Sequence, residues 1–348
     1  MFVEQDYIRT KLEKVPKPPE PDAASGETQA EAIYRLQWRS DQETAAEDFE
    51  RKRETLAINR VILAALLRNG IEVKGDFNPK IFHQKFIVRD YRGKAQPNSA
   101  LLTGSANFTH HDTHDNLNNV FVFHDALVCR EYANEFARLS LGQFGRGLLG
   151  DVPTTIGVNG VPVKVAFAPD HAPELELMKQ LLTVRADGLQ AELEGGQIWF
   201  AIFTFNGSSG IDDTLLALAR GGVKIRGVVD RGQAHQKWAL PPWLKHENLE
   251  LRVPPKPGPA GFKVRKVHYK TAVVDDRTVV AGSFNYTRPA NDFNDENIFV
   301  IGSPYDEIKE PGRTPIQVDA ARCRELALHV CAELERIFGL SEKFMPGS

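Results

Sequence analysis

Between residues 161 and 230 the chain alternates two kinds of apolar pattern. "VKVAFAPD" at 163–170, "QIWFAIFTF" at 197–205 and "VKIRGVVD" at 223–230 are short, nearly continuous apolar runs, which predict buried strands. Between them, "APELELMKQLLTVR" at 172–185 and "IDDTLLALARGG" at 211–222 repeat apolar positions three and four apart, which predicts helices. The second carries an Asp cap and a Gly stop. A strand–helix–strand–helix–strand run of this kind predicts an α/β fold. Further upstream, residues 40–70 read as a long helix, charged at first and apolar in its last turns, with a stop at Asn69-Gly70.

Two other apolar runs break the strand pattern in the same way. "IFHQKFIVRD" at 81–90 and "VHYKTAVVDD" at 267–276 each place a histidine and a lysine two residues apart. On a strand, that spacing puts both on one face. The match continues downstream, where "GSANFTHHDTHDNLNNVFVF" from Gly104 aligns without a gap with "GSFNYTRPANDFNDENIFVI" from Gly282. Repeats of this length predict two α/β lobes related by a pseudo-twofold, each a mixed sheet flanked by helices, forming one bilobal unit. The expected boundaries are 1–150 for the first lobe and 151–348 for the second, which ends in a C-terminal helix.

The halves are unequal. If "FVE" at 2–4 corresponds to "VVD" at 228–230, residues 161–226 have no counterpart in the first half. A lobe without those strands would leave open sheet edges. The expectation is that the sequence begins inside its first lobe; the alternative is a shortened lobe, or one completed by another chain. The first half also carries an insertion at 14–55, rich in Pro, Glu and Ala at its start, which reads as a solvated flap. "PPKPGPAGFKVRK" at 254–266 is a basic Pro/Gly loop leading into the second His strand.

Composition narrows the class. The chain has 348 residues, 42% hydrophobic and 26% charged, with net charge −3, ordinary for a globular protein and not for a dedicated polyanion binder. Cys129, Cys323 and Cys331 have no metal-type spacing and read as buried free thiols, which suits a reducing cytoplasm. The start shows no signal-peptide pattern, and "VILAALL" and "IWFAIF" are too short to span a bilayer, so any membrane contact would be peripheral.

His-x-Lys-x4-Asp followed by Gly-Ser-x-Asn, present twice, resembles the phospholipase D superfamily over most of residues 57–301. The resemblance implies a phosphodiesterase that needs no metal and no cofactor. One histidine of the pair His83 and His268 attacks phosphorus and forms a phosphohistidine, while the other protonates the leaving oxygen and then activates water or an alcohol. Lys85 and Lys270 would neutralise the nonbridging oxygens, and Asn107 and Asn285 would donate hydrogen bonds to them, with Ser105 and Ser283 close by. Asp90 and Asp275, at the far ends of the strands, read as structural. Family members orient each histidine with a carboxylate or amide after the Asn loop; the aligned residues here are Glu296 and Asn118. If these reach across to the opposite lobe, Glu296 supports His83 and Asn118 supports His268, which favours His83 as nucleophile and His268 as general acid; if they act within their own lobe, the roles reverse.

Other clusters read more plainly. His110, His111 and His114 with Asp112 and Asp115 resemble metal ligands. Their aligned stretch "RPANDFN" has no histidine, so a polar loop rimming the cleft is the preferred reading. Trp199, Phe200, Phe203 and Phe205 read as core. "RKR" at 51–53 reads as a solvated helix face, and "KVRK" at 263–266 is a candidate contact for an anionic substrate. The substrate is either a phospholipid or a nucleic acid, and the competing class is a catalytically silent phosphate-binding module.

Overall fold

The structure is a computed structural model that describes residues 2–4, 57–58, 60–76, 80–91, 94–145, 152–153, 155–185, 196–236, 238–256, 264–304 and 318–347. The insertion expected at 14–55, the "RKR" at 51–53 and the first part of the long charged helix lie outside them. The chain divides into two compact units, Met1–Pro79 and Lys80–Ser348.

In the first unit β1 (Phe2–Glu4) pairs in parallel with β2 (Lys74–Asp76), Phe2 opposite Lys74. Helix α1 spans 60–68. It stops where the sequence predicts: the Asn69 N–H bonds back to Ala65 O, and Gly70 takes a left-handed φ of 71°.

In the second unit the strands are β3 (Phe86–Tyr91), β4 (Ala95–Gly104), β5 (Asn116–Leu117), β6 (Val120–Phe123), β7 (Thr155–Val158), β8 (Val161–Ala168), β9 (Gln197–Ile202), β10 (Lys224–Val229), β11 (Leu249–Val253), β12 (Lys266–Val267), β13 (Lys270–Val274), β14 (Thr278–Gly282), β15 (Glu296–Ile301) and β16 (Glu342–Phe344). A nine-stranded sheet runs in the order β16-β11-β10-β9-β13-β14-β15-β8-β7. Its β9, β10 and β11 are mutually parallel and the remaining pairings are antiparallel. The mixed α/β class expected from the alternating runs is therefore present.

The apolar runs are strands buried on both faces, with a period of two. Ile198, Phe200 and Ile202 of β9 face a core closed by Leu177 and Leu181 of α4 (Pro173–Leu182) and by Ile211 and Leu215 of α5 (Ile211–Arg220). Trp199 and Ala201 face a second core closed by Ala327, Cys331, Leu334 and Ile337 of α6 (Ala320–Leu340). All three cysteines are buried and free. One detail of α5 departs from the sequence reading. Its N-cap is Gly210, in a left-handed conformation, and Asp212 sits in the first turn.

A three-stranded antiparallel sheet, β3-β4-β6, repeats the order β13-β14-β15. Helix α3 (Ala126–Ser140) covers one face, with the Asp125 carboxylate accepting from Leu127 N and Val128 N. The other face differs between the repeats. Ala272, Val280 and Val300 are core residues, whereas the aligned Ile87 and Val122 are exposed and Leu102 is half-buried.

Candidate active site

Neither histidine lies inside a regular strand, which corrects the sequence reading, although Lys270 opens β13. His83, Gln84 and Lys85 precede β3, and His268 and Tyr269 fall between β12 and β13. The cause is an exchange between the two halves. Phe82 bridges in parallel to Asp295, with the His83 N–H donating to Asp295 O at 2.9 Å and the Asp295 N–H to Ile81 O at 3.1 Å. Reciprocally, β12 pairs in parallel with β5, and the His268 N–H donates to Leu117 O at 2.8 Å. Each chain segment makes this contact and then turns to join its own sheet, so the histidine marks the change of partner. Lys85 Nζ and Lys270 Nζ donate back to the carbonyl oxygens of His83 and His268, which keeps each ammonium beside its imidazole.

The exchange delivers each histidine to a partner in the opposite half. His83 Nδ1 lies 2.7 Å from Glu296 Oε2, and His268 Nδ1 lies 2.9 Å from Asn118 Oδ1. Both acceptors also receive a serine hydroxyl: Ser283 Oγ donates to Glu296 Oε2 at 2.6 Å and Ser105 Oγ to Asn118 Oδ1 at 2.9 Å. An acceptor at Nδ1 fixes that nitrogen as the protonated one, so each Nε2 keeps its lone pair. Gly104 and Gly282 make the serine loops possible. Their φ values are 151° and 152°, and a Cβ at either would collide with the Asn119 or Asn297 carbonyl oxygen. The Ser105 and Ser283 N–H groups bond those same carbonyls.

The asparagines of the two loops are held differently. Asn285 Oδ1 accepts from Thr204 N at 3.2 Å, whereas Asn107 donates both its backbone N–H and its Nδ2 to Asp112 Oδ2. The expectation that both amides are aimed at a phosphate thus meets an asymmetry, since Asn107 is already engaged. Asp90 and Asp275 occupy matching places after their histidines, with φ of 54° and 51°. The Asp275 carboxylate accepts from Gln197 N at 3.0 Å and ties β13 to β9, while Asp90 is exposed and paired with Arg89 at 3.2 Å.

Burial and mutual repulsion dominate the electrostatics. Desolvation lowers the His83 pKa; Glu296 opposes this and Lys85 reinforces it. Desolvation, then Lys270, pushes His268 far below its ordinary value, with Asp112 opposing. Burial brings Lys85 down to about 8, and burial together with Lys85 lowers Lys270 strongly. Burial would raise the Glu296 carboxyl, but His83 and Lys85 more than offset it and hold it ionised. The cleft therefore holds two neutral imidazoles beside two buried lysines, and a bound anion would favour the charged form of all four.

Several site residues were misread or missed in the sequence. The stretch taken as a polar rim is a short helix, α2 (His110–His114). Its histidines are exposed and His111 is bonded to Asp115, but Asp112 points inward, 5% exposed, with Oδ1 3.7 Å from His268 Nδ1. Phe203, expected in the core, is only half-buried. Its ring meets His268 edge-on at 4.8 Å, with Lys270 Nζ at 5.0 Å and Lys266 Nζ at 5.3 Å over it. Trp199, Phe200 and Phe205 are core as expected. Lys266 places the end of the "KVRK" run beside the cleft, whereas 257–263 lie outside the described residues. Gln84, buried beside His83, donates to Glu135 Oε1 at 2.6 Å. Arg138 joins Glu135 at 2.7 Å to Asp295 at 3.3 Å, which braces the exchanged segment. Asp230 does the same in the other half by accepting from Val267 N at 3.0 Å. Nothing in local sequence distinguishes these bracing groups from surface charges, because their partners lie far away in the chain.

Comparisons with known proteins show the family of the chain. The family described as "Cardiolipin synthase, PLD-like domain" matches residues 44–140 and 190–311, more than half of the chain and both His-Lys segments. A mitochondrial cardiolipin hydrolase of Chlamydomonas reinhardtii is 30% identical over 103 residues, 30% of this chain and 43% of that protein. A phospholipase D of Rickettsia conorii is 31% identical over 97 residues, 26% of this chain and 45% of that protein. The chain thus spans less than half the length of these curated relatives. Among solved structures, the phospholipase D family member Nuc from Salmonella typhimurium aligns with a TM-score of 0.39 at 18% identity, over 53% of this chain and 98% of that one. The family match spans the two repeated halves, and on it the chain belongs to the phospholipase D superfamily.

Proposed function

We propose that the chain is a metal-independent phosphodiesterase that works through a phosphohistidine. The observation that carries this is the pair of crossed contacts, His83 to Glu296 and His268 to Asn118, which hold both imidazoles with Nε2 unprotonated beside two lysines. The diester anion enters between Lys85 and Lys270, and its charge offsets theirs. That raises the histidine pKa values and brings a proton onto His268 Nε2. His83 Nε2 attacks phosphorus as the P–O bond to the leaving group breaks, and His268 passes its proton to the departing oxygen. Water then gives a proton to His268 while its oxygen attacks phosphorus and the P–N bond breaks. The chain's own side chains fill each role: nucleophile, acid, base and charge neutralisation. His83 takes the nucleophile's part because the ionised Glu296 makes it the more basic imidazole.

A phospholipid is the preferred substrate class. Large apolar side chains stand exposed on the segments that carry the reacting groups: Ile81 (53% exposed) before His83, Phe108 (60%) after Asn107, and Phe293 (42%) before Glu296. Lys80 Nζ lies 4.6 Å over the Phe293 ring. Apolar residues interleaved with cations suit the surface of an anionic bilayer. The names of the curated relatives, a cardiolipin hydrolase and phospholipases D, point the same way. The test is turnover in EDTA on cardiolipin and phosphatidylcholine vesicles, set beside single- and double-stranded DNA and RNA, with His83→Ala and His268→Ala as controls. Vesicle cleavage that survives EDTA and is lost in both variants is expected. Nucleic-acid cleavage in its place would overturn the substrate class, and binding without turnover on every substrate would leave a phosphate-binding module.

A further inference from the structure

We infer that Asp112 is a positioning residue for His268: it supplies, one residue further out, the carboxylate that His83 receives directly from Glu296. The inference rests on the two-histidine reading above. The aligned positions explain why such a residue is needed. Glu296 gives His83 an ionised oxygen, whereas Asn118 gives His268 only an amide oxygen. An amide can face an imidazole with either end, and by itself it adds no charge to stabilise an imidazolium. Asp112 addresses both deficits. Asn118 Nδ2 donates to Asp112 O at 2.9 Å and reaches Asp112 Oδ1 at 3.4 Å, so the amide nitrogen is held away from the histidine and Oδ1 is turned toward it. The carboxylate itself lies 3.7 Å from His268 Nδ1, close enough to favour the cation.

The geometry around Asp112 is that of a charge kept ionised on purpose. It is 5% exposed, yet it accepts from Asn107 N at 2.8 Å, from Asn107 Nδ2 and from Asn116 Nδ2. Burial would raise its pKa, but these donors and His268 more than offset that and hold it below the usual carboxylate value. Helix α2 positions it: Thr109 Oγ1 caps the helix at Asp112 N and turns the third residue of a surface helix inward. In the second half the aligned residue is Ala290, and there Glu296 already provides the carboxylate. Each histidine thus has a carboxylate near it, bonded directly to His83 in one case and 3.7 Å from His268 in the other, so the support is weaker at His268. The charged and titratable groups facing His268 are Asp112 from α2, Lys270 on its own segment, and Lys85 and His83 from the other half.

The test reads His268 directly. Histidine-labelled full-length protein, with sulfate filling the cleft, is titrated by nitrogen NMR between pH 5 and 9, with the His268 signal assigned by its loss in His268→Gln. Asp112→Asn is expected to lower the His268 midpoint by about one unit relative to wild type. In the double variant Asp112→Ala/Asn118→Glu, which gives His268 the arrangement that His83 has, the midpoint is expected to return to within a few tenths of a unit. In parallel, kcat on bis(p-nitrophenyl) phosphate should fall about 10- to 100-fold in Asp112→Asn and recover in the double variant. Should Asp112→Asn fail to fold, the double variant alone decides, by whether a folded protein retains the wild-type midpoint. A His268 midpoint unchanged in folded Asp112→Asn, or a His268 that titrates in neither protein, overturns the inference. Because the NMR titration needs no turnover, failure of the catalytic reading shows up separately, as wild-type protein that is inactive on every substrate.

Discussion

His83 and His268 look alike in sequence and face the same two lysines, yet one leans on a carboxylate and the other on an amide. That difference predicts unequal responses to substitution. Glu296→Gln keeps the shape of the contact and removes its charge, so kcat should fall about 10- to 100-fold with little change in KM. Steady-state kinetics on bis(p-nitrophenyl) phosphate checks this. The buried lysines predict the opposite pairing of effects. Lys270 is desolvated beside Lys85, so its charge costs stability. Lys270→Met should abolish turnover and raise stability by about 1 kcal/mol, a Tm gain of about 2–4 °C. The histidines give a pH signature with a definite sign. Their folded pKa values are depressed, so the unfolded chain takes up protons first as pH falls below about 6.5. Stability attributable to them is complete above that pH and is lost as pH drops toward the folded values. Sulfate raises those values, so it should both flatten the loss of Tm between pH 7 and 5 and bind more tightly at the lower pH. The sequence made the His, Lys and Asn residues legible because they recur in two aligned motifs. Asp112 and Phe203 were not legible, since each acts in one half only and its role depends on contacts across the fold.

At the scale of elements, the periodic stretches were read correctly where one element supplies its own signal. β8, β9, β10, α4 and α5 form within the runs that predicted them, because their apolar spacing matches the faces they bury. The His-x-Lys segments were read as uniform strands and are not. Their first residues pair with the other half and their later residues with their own sheet, an exchange that local periodicity does not encode. The Gly-Ser loops are where this geometry is least tolerant. Gly282→Ala forces a Cβ onto the Asn297 carbonyl at a φ of 152°, so it should cost about 2–4 kcal/mol by denaturant melts and misplace Glu296 as well. Gly104→Ala should do the same to Asn118.

For the molecule as a whole, the duplicated halves are not two copies of one machine. Each supplies the other's Nδ1 acceptor, so neither half of the site is complete alone, and the bracing groups Arg138 and Asp230 serve that exchange. Among the described residues no helix is long and apolar enough to cross a membrane. The lipid substrate proposed above rests instead on the exposed apolar residues Ile81, Phe108 and Phe293. The central claim is that a phosphoryl group resides on His83 during turnover. The most direct measurement is rapid quenching at alkaline pH, where phosphohistidine survives, followed by peptide mass mapping after reaction with bis(p-nitrophenyl) phosphate in EDTA. The p-nitrophenolate leaves without needing a proton, so His268→Ala should still form the adduct and accumulate it, for want of a base to activate water. The account predicts a phosphoryl adduct on His83 that is transient in wild type, accumulated in His268→Ala and absent in His83→Ala. An adduct on His268, or turnover by His83→Ala at the wild-type rate, would contradict it.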